Sequence, residues 1–189
     1  GACWCPYKRG HPKIGSLHLS ILELHSILIT ANMANNIKIT IITVTYNAEK
    51  ILEETILSVL GQTYNNIEYI IIDGGSTDNT IDIIKKYSDQ ITYWVSEPDR
   101  GIYDAMNKGI RIATGEWINF MNAGDSFYSQ RTIEECVHFI NHNSDVDILY
   151  GNTIVTYKNE KYLSIPKEIS LLKRHTVFCH QSSFIRTSL

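Results

Sequence analysis

The sequence predicts an α/β protein built on a mostly parallel sheet flanked by helices. Three observations carry that expectation. Short runs of β-branched and apolar residues alternate with stretches whose apolar residues recur at helical spacing. Gly, Asn, Asp and Ser mark the boundaries between them. Several strand runs are apolar at nearly every position rather than every second one, the pattern of strands covered on both faces. Strand–helix alternation implies parallel neighbours joined by right-handed crossovers.

The elements follow in order. Ile39 to Tyr46 is rich in β-branched residues and reads as a central strand, with Asn47 as a turn or cap. Ile51, Leu52, Thr55, Ile56, Val59 and Leu60 repeat at helical spacing, and Gly61 ends that helix. Ile67 to Ile72 is a second strand. The loop Asp73 to Asp78 comes next, with Ser76 or Thr77 suited to cap a helix running through Tyr87. Ile91 to Val95 is a third strand. A helix from Ile102 to Ala113 turns Ala105, Met106, Gly109, Ile110 and Ala113 inward, and Gly115 ends it. Trp117 to Met121 is a buried strand in which Asn119 needs a hydrogen-bonding partner. Ile133, Cys136, Val137 and Ile140 mark another helix, and Asp147 to Tyr150 a short strand. Thr153 to Tyr157 and Lys161 to Ile165 form a hairpin through Lys158, Asn159 and Glu160. There is no internal repeat.

The chain has 189 residues, enough for one domain with a sizeable core. A hydrophobic content of 43% and a charged content of 20% are those of an ordinary globular protein. The net charge of −3 gives no electrostatic case for nucleic acid as a partner. Cys3, Cys5, Cys136 and Cys179 match neither a disulfide framework nor a CxxC pair, which points to a reducing compartment. The spacing of Cys3, Cys5 and His11 fits no zinc site.

Residues 1–32 differ in character. Ile14, Leu17, Ile21, Leu24 and Leu28 share a helical stripe, but His18, Glu23 and His25 interrupt it, making a poor membrane span. Met33 has the look of a natural start. Residues 1–32 are therefore expected to be a non-native or upstream extension, and 33–189 the functional domain. A native amphipathic helix is the competing reading.

Three loops follow strand ends and should gather on one edge of the sheet, where open α/β sheets bind ligands. The first carries Thr45, Tyr46 and Asn47, the second Asp73 to Asp78, the third Asn122 to Asp125. A nucleoside diphosphate would suit that edge. Tyr46 can stack on a base, Asp73 can accept a base N–H, and a metal on Asp125 can neutralise a diphosphate. Gly124 allows an unusual backbone angle. For Asp73 the competing reading is a loop carboxylate that caps the amides of the following helix. For Asn122 to Asp125 it is a polar turn. No GxGxxG or GxxxxGK[ST] is present.

The segments ITIITVTYNAEK, IIIDGGSTDNT, SEPDRGIYDAMNKGI and ATGEWINFMNAGD, in this order and spacing, strongly resemble family 2 glycosyltransferases of the GT-A fold. That is a Rossmann-like, mostly parallel sheet, and the resemblance covers residue 37 onwards. It implies inverting transfer from a nucleotide-sugar donor to a saccharide or lipid-linked acceptor, with Mg2+ or Mn2+. By the resemblance, Thr45, Tyr46, Asn47 and Asp73 lie at the nucleotide and Arg100 near the nucleotide or diphosphate. Asp104 and Asn107 begin a helix whose face is expected close to the sugar, with simple loop–helix packing as the competing reading. Asn122 and Asp125 stand where the family carries its metal motif. Many relatives have Asp in place of Asn122. Asp125 is then the principal metal residue, and Asn122 is free to touch ribose. The FMNAGD form resembles that of bacterial exopolysaccharide and O-antigen enzymes, which implies surface polysaccharide synthesis at the cytoplasmic side. Peripheral association with the inner membrane face and a homodimer both remain open.

Inversion needs a base to take the acceptor proton. The family places an acidic base after a segment resembling Cys179 to Phe184, so the base and part of the acceptor site are expected beyond Leu189, the domain being truncated there. Of this chain's late residues, His180 is the candidate base or third metal ligand, with a structural histidine hydrogen-bonded near the acceptor cleft as the competing reading, and Glu168 reads as a solvated helix face. Asp99 is expected to orient Arg100. The alternative function is a non-catalytic nucleotide-sugar-binding domain. A sugar nucleotidyltransferase is disfavoured, because Tyr46-Asn47-Ala48-Glu49 stands where those enzymes carry a glycine-rich basic loop.

Overall fold

The computed structural model describes residues 2–3, 36–158, 160–166 and 179–189. The centre is a six-stranded sheet in the order β4-β3-β2-β5-β9-β6. Its strands are β2 (Ile39–Thr45), β3 (Ile67–Asp73), β4 (Tyr93–Ser96), β5 (Trp117–Phe120), β6 (Ile148–Tyr150) and β9 (Ser183–Arg186). The first four are parallel, as expected. Strand β9 enters antiparallel between β5 and β6. A second, antiparallel sheet has the order β1-β7-β8, from β1 (Ala2–Cys3), β7 (Asn152–Tyr157) and β8 (Glu160–Ser164). The hairpin expectation holds, with Lys158 at φ 48° in its turn.

Strand β2 is buried along its whole length because both its faces are covered. Ile39 and Ile41 face one core with Leu52, Ile56 and Val59 of α1 (Leu52–Leu60), Ile84 of α2 (Thr80–Lys86), and Ile133, Cys136, Val137 and Ile140 of α4 (Thr132–Asn141). Ile42 and Val44 face the other, with Ala105 and Met106 of α3 (Ile102–Ile112). Each fully buried aliphatic side chain contributes about 1.5–3 kcal/mol. Among the described residues, Cys136 and Cys179 are free thiols, and burial pushes the Cys136 thiol well up. No helix among these residues is long and apolar enough to cross a membrane.

Two local expectations are corrected. Ile110 is 45% exposed rather than inward. Gly109 sits directly on the sheet, where an added Cβ would lie 2.6 Å from Ile42 Cγ2, so the contact line of α3 runs through Ala105 and Gly109 and leaves Ile110 outside it. Neither Ser76 nor Thr77 caps α2, which starts after Asn79 with no side-chain cap on that residue. Ser76 is instead committed to the loop before the helix. Asp78 Oδ1 accepts the Thr80 N–H at 3.0 Å, as a capping carboxylate does.

Glu68, at the start of β3, is a buried carboxylate. Burial pushes its pKa up, but hydrogen bonds from the Thr114 N–H and hydroxyl and from Thr40, with Lys38 nearby, outweigh that and hold it below the usual range. The helix expected around Glu168 and most of residues 1–32 lie outside the described residues.

Candidate active site

The parallel register brings the strand ends together. Thr45 pairs with Asp73 across β2 and β3, and Ile42 with Phe120 across β2 and β5. The ladder continues into the loops, with the Gly74 N–H donating to Thr45 O and the Ala123 N–H to Val44 O. Below them the Tyr69 hydroxyl lies 3.1 Å from Thr43 Oγ1, which itself donates to Met121 O at 2.7 Å. Thr43 has one proton, so Tyr69 is the donor to it. Burial pushes the Tyr69 phenol up and keeps it protonated for that task.

The first and second loops are laced together. Asn47, at φ 47°, donates its N–H to Ser76 Oγ and accepts the Thr77 N–H on Oδ1. The Ala48 N–H donates to Thr80 Oγ1, and the Glu49 N–H to Asp78 Oδ2. Asp73 is fully buried. Its Oδ2 accepts from the Gly75 and Ser76 N–H groups and from Ser96 Oγ, and its Oδ1 from Ser76 Oγ. Asp73 thus holds its own turn and Ser96, and the amides it caps belong to that turn rather than to the following helix. Tyr46 is 63% exposed at the rim, the state a stacking ring needs before a base arrives. Thr45 Oγ1 is buried and has no partner among the described residues.

The third loop rests on α1. Thr55 Oγ1 accepts the Gly124 N–H at 2.9 Å and donates to Asp125 O at 2.8 Å. Gly124 is at φ 95°, in the left-handed region that favours glycine. Asn122 Nδ2 lies 2.8 Å from His180 Nε2, while Asn122 Oδ1 is buried without a partner among the described residues. Asp125 Oδ2 accepts Gln181 Nε2 at 3.0 Å. His180, Gln181 and Ser182 form one 3-10 turn leading into β9. Gln181 is a site residue that sequence reading missed, since nothing in its local pattern says which loop it meets.

The loop before α3 behaves differently. The Arg100 side chain is 90% exposed and pairs loosely with Asp104, Nη2 to Oδ1 at 3.8 Å. Asp104 Oδ2 also accepts the Arg100 N–H. Asp99 therefore does not orient Arg100. It accepts the Gly101 N–H and packs against Gly74, where an added Cβ would meet it at 2.6 Å.

Among the described residues no three His, Cys, Asp or Glu side chains form a metal cluster. The donor set still fits a hard divalent cation shared with a diphosphate. Such ions use one or two protein oxygens plus substrate phosphates. Asp125 would supply a carboxylate oxygen, and Asn122 Oδ1, which has no partner among the described residues, a second.

Comparison with known proteins agrees with this geometry. The family model described as Glycosyl transferase family 2 matches residues 40–186. A PGL/p-HBAD biosynthesis glycosyltransferase of Mycobacterium tuberculosis is 34% identical over 152 residues, covering 79% of this chain and 59% of its own. The crystal structure of S. aureus TarS 1-349 in complex with UDP matches with a TM-score of 0.62 at 22% identity, over 80% of this chain and 47% of that one. The mannosyltransferase PcManGT from Pyrobaculum calidifontis, in complex with GDP-Man and Mn2+, matches with a TM-score of 0.58 at 20% identity, over 79% of this chain and 44% of that one. The chain thus spans 59% of the curated relative and less than half of either solved chain. The sheet order and strand-end loops are those of the GT-A fold, and with the match over residues 40–186 the chain belongs to glycosyl transferase family 2.

Proposed function

We propose that this domain moves a sugar, with inversion, from a nucleotide-diphospho-sugar to a saccharide or lipid-linked acceptor in the synthesis of surface polysaccharide or glycolipid, in the cytoplasm. The observation that carries this reading is the convergence of Thr45, Tyr46, Asn47, Asp73, Asn122 and Asp125 at the C-terminal edge of the parallel strands. Two buried polar atoms there, Thr45 Oγ1 and Asn122 Oδ1, lack partners among the described residues and would gain them from a ligand.

In this mechanism Tyr46 stacks on the base, and Thr45 and Asp73 receive the base edge. Asp125 and Asn122 would hold a divalent cation, which would offset the charge growing on the departing diphosphate. Arg100 and Asp104 border the diphosphate and the sugar, and the exposed guanidinium is free to swing inward. His180 is the base of this chain. Its Nε2 lies 2.8 Å from Asn122 Nδ2, a contact it would release to take the acceptor proton.

Calorimetry with UDP, GDP and dTDP, with and without Mn2+, tests the binding half. Metal-enhanced binding of one of them is expected, and no binding of any would overturn the reading. Donor hydrolysis or transfer tests the other half. Binding without turnover would favour a nucleotide-sugar-binding domain without transfer.

A further inference from the structure

Asn119 is a polar side chain in the middle of β5, and it is completely buried. Its Nδ2 donates to Gln181 O at 3.0 Å and to Ser183 O at 2.9 Å. Its Oδ1 has no partner among the described residues. An unpaired buried amide oxygen costs about 1–3 kcal/mol. An apolar residue in its place would avoid that cost and would lose only one thing, the grip on the turn from Cys179 to Ser183.

That turn reaches back to the loop after β5 through two side chains. His180 meets Asn122, and Gln181 meets Asp125. A carboxylate at neutral pH only accepts, so the Gln181 atom facing Asp125 is the amide nitrogen. The other end of the same amide, Oε1, receives the Cys179 thiol. The Gln181 side chain is therefore held at both ends, and its peptide oxygen is held by Asn119. On Asp125, Oδ2 is occupied and Oδ1 has no protein partner among the described residues.

We propose that Gln181 is a positioning residue for the cation. It pins one oxygen of Asp125 and presents the other, Oδ1, as a single fixed ligand, with Asn119 as the buried strut beneath it. This rests on the reading of Asp125 as a cation ligand. Outer partners that orient a metal-binding carboxylate typically change metal affinity by about 10- to 100-fold when removed.

The test is a titration of Mn2+ into the protein held with saturating UDP, repeated with GDP, for wild type, Gln181→Met, Asn119→Leu and Asp125→Ala. Metal-free nucleotide affinity and the thermal midpoint are measured alongside. Gln181→Met is expected to weaken Mn2+ by about 10- to 100-fold while metal-free nucleotide affinity stays at the wild-type value. Asn119→Leu should show the same selective loss. Because its site is buried it also risks the fold, and the half-buried Gln181 decides the matter if it does. If Asp125→Ala abolishes the Mn2+ effect and Gln181→Met leaves it intact, the positioning role is overturned and the cation reading stands. If Asp125→Ala leaves Mn2+ affinity unchanged, the cation reading falls and this proposal with it. A lowered midpoint with unaltered Mn2+ affinity in Gln181→Met would show a packing role and overturn the proposal.

Discussion

Asn122 Nδ2 and His180 Nε2 stand 2.8 Å apart although 58 residues separate them in the chain. The contact joins the loop after β5 to the turn before β9, and β9 pairs with β5 itself. A histidine that sequence alone leaves isolated is thereby set beside the candidate cation loop. Its replacement by Gln keeps a polar group near Asn122 and removes the base. His180→Gln is expected to slow transfer by about 10²- to 10⁴-fold with nucleotide affinity retained. Equal turnover in the two proteins would assign the proton transfer elsewhere.

Asp125→Ala should remove the metal dependence of nucleotide binding. The backbone of this loop is held by Thr55 and does not need the carboxylate, so the variant should fold. Calorimetry with and without Mn2+ should then give a single affinity. A variant still strengthened by Mn2+ would place the cation on other ligands.

Tyr46→Ala should weaken nucleotide binding by about 1–3 kcal/mol if the ring lies on the base. The ring is 63% exposed, so the thermal midpoint should barely move. Unchanged affinity would take Tyr46 out of the base site.

Gly115→Ala should destabilise the fold by about 1–3 kcal/mol or more. An added Cβ would lie 2.7 Å from Thr40 N and 2.8 Å from Lys38 O, backbone atoms of the central strand and its approach. The comparison is chemical denaturation of the two proteins. A neutral result would mean that the α3–β5 connection shifts without cost.

Acid should act through Glu68. Its folded pKa lies below the ordinary value of 4.5, so its contribution is present above that pH and is lost as pH falls through the folded value. Glu68→Gln should therefore be less stable than wild type at neutral pH, by on the order of 1–3 kcal/mol. The gap should narrow below pH 4.5. A gap that stays constant through the acid range would show that the carboxylate's charge contributes nothing.

Much of the fold was legible because its signals are local. A strand covered on both faces is a run of apolar residues, so β2, β3 and β5 announced themselves. The helical spacing of Leu52, Ile56 and Val59, and of Ile133, Cys136 and Ile140, did the same for α1 and α4. Parallel direction followed from alternation, and with it the expectation that the loops at Thr45, Asp73 and Asn122 share an edge. What stayed hidden depends on partners distant in the chain. Ser76 looked like a helix cap because capping chemistry is local, yet its hydroxyl is committed to Asp73 and Asn47.

By itself, then, the sequence determined the layered α/β architecture, the strand ends that carry the candidate site, and the family to which their motifs belong. Periodicity and turn chemistry act over a few residues and can be read in order. Only the tertiary structure decided that β9 slots antiparallel between β5 and β6, and that this brings His180 onto Asn122 and Gln181 onto Asp125. Four residues of Ser-Phe-Ile-Arg hold no period long enough to name a neighbour. Their place is set by the open edge of β5 and by Asn119, which hydrogen-bonds to the turn before β9 and to its first residue from more than sixty positions away.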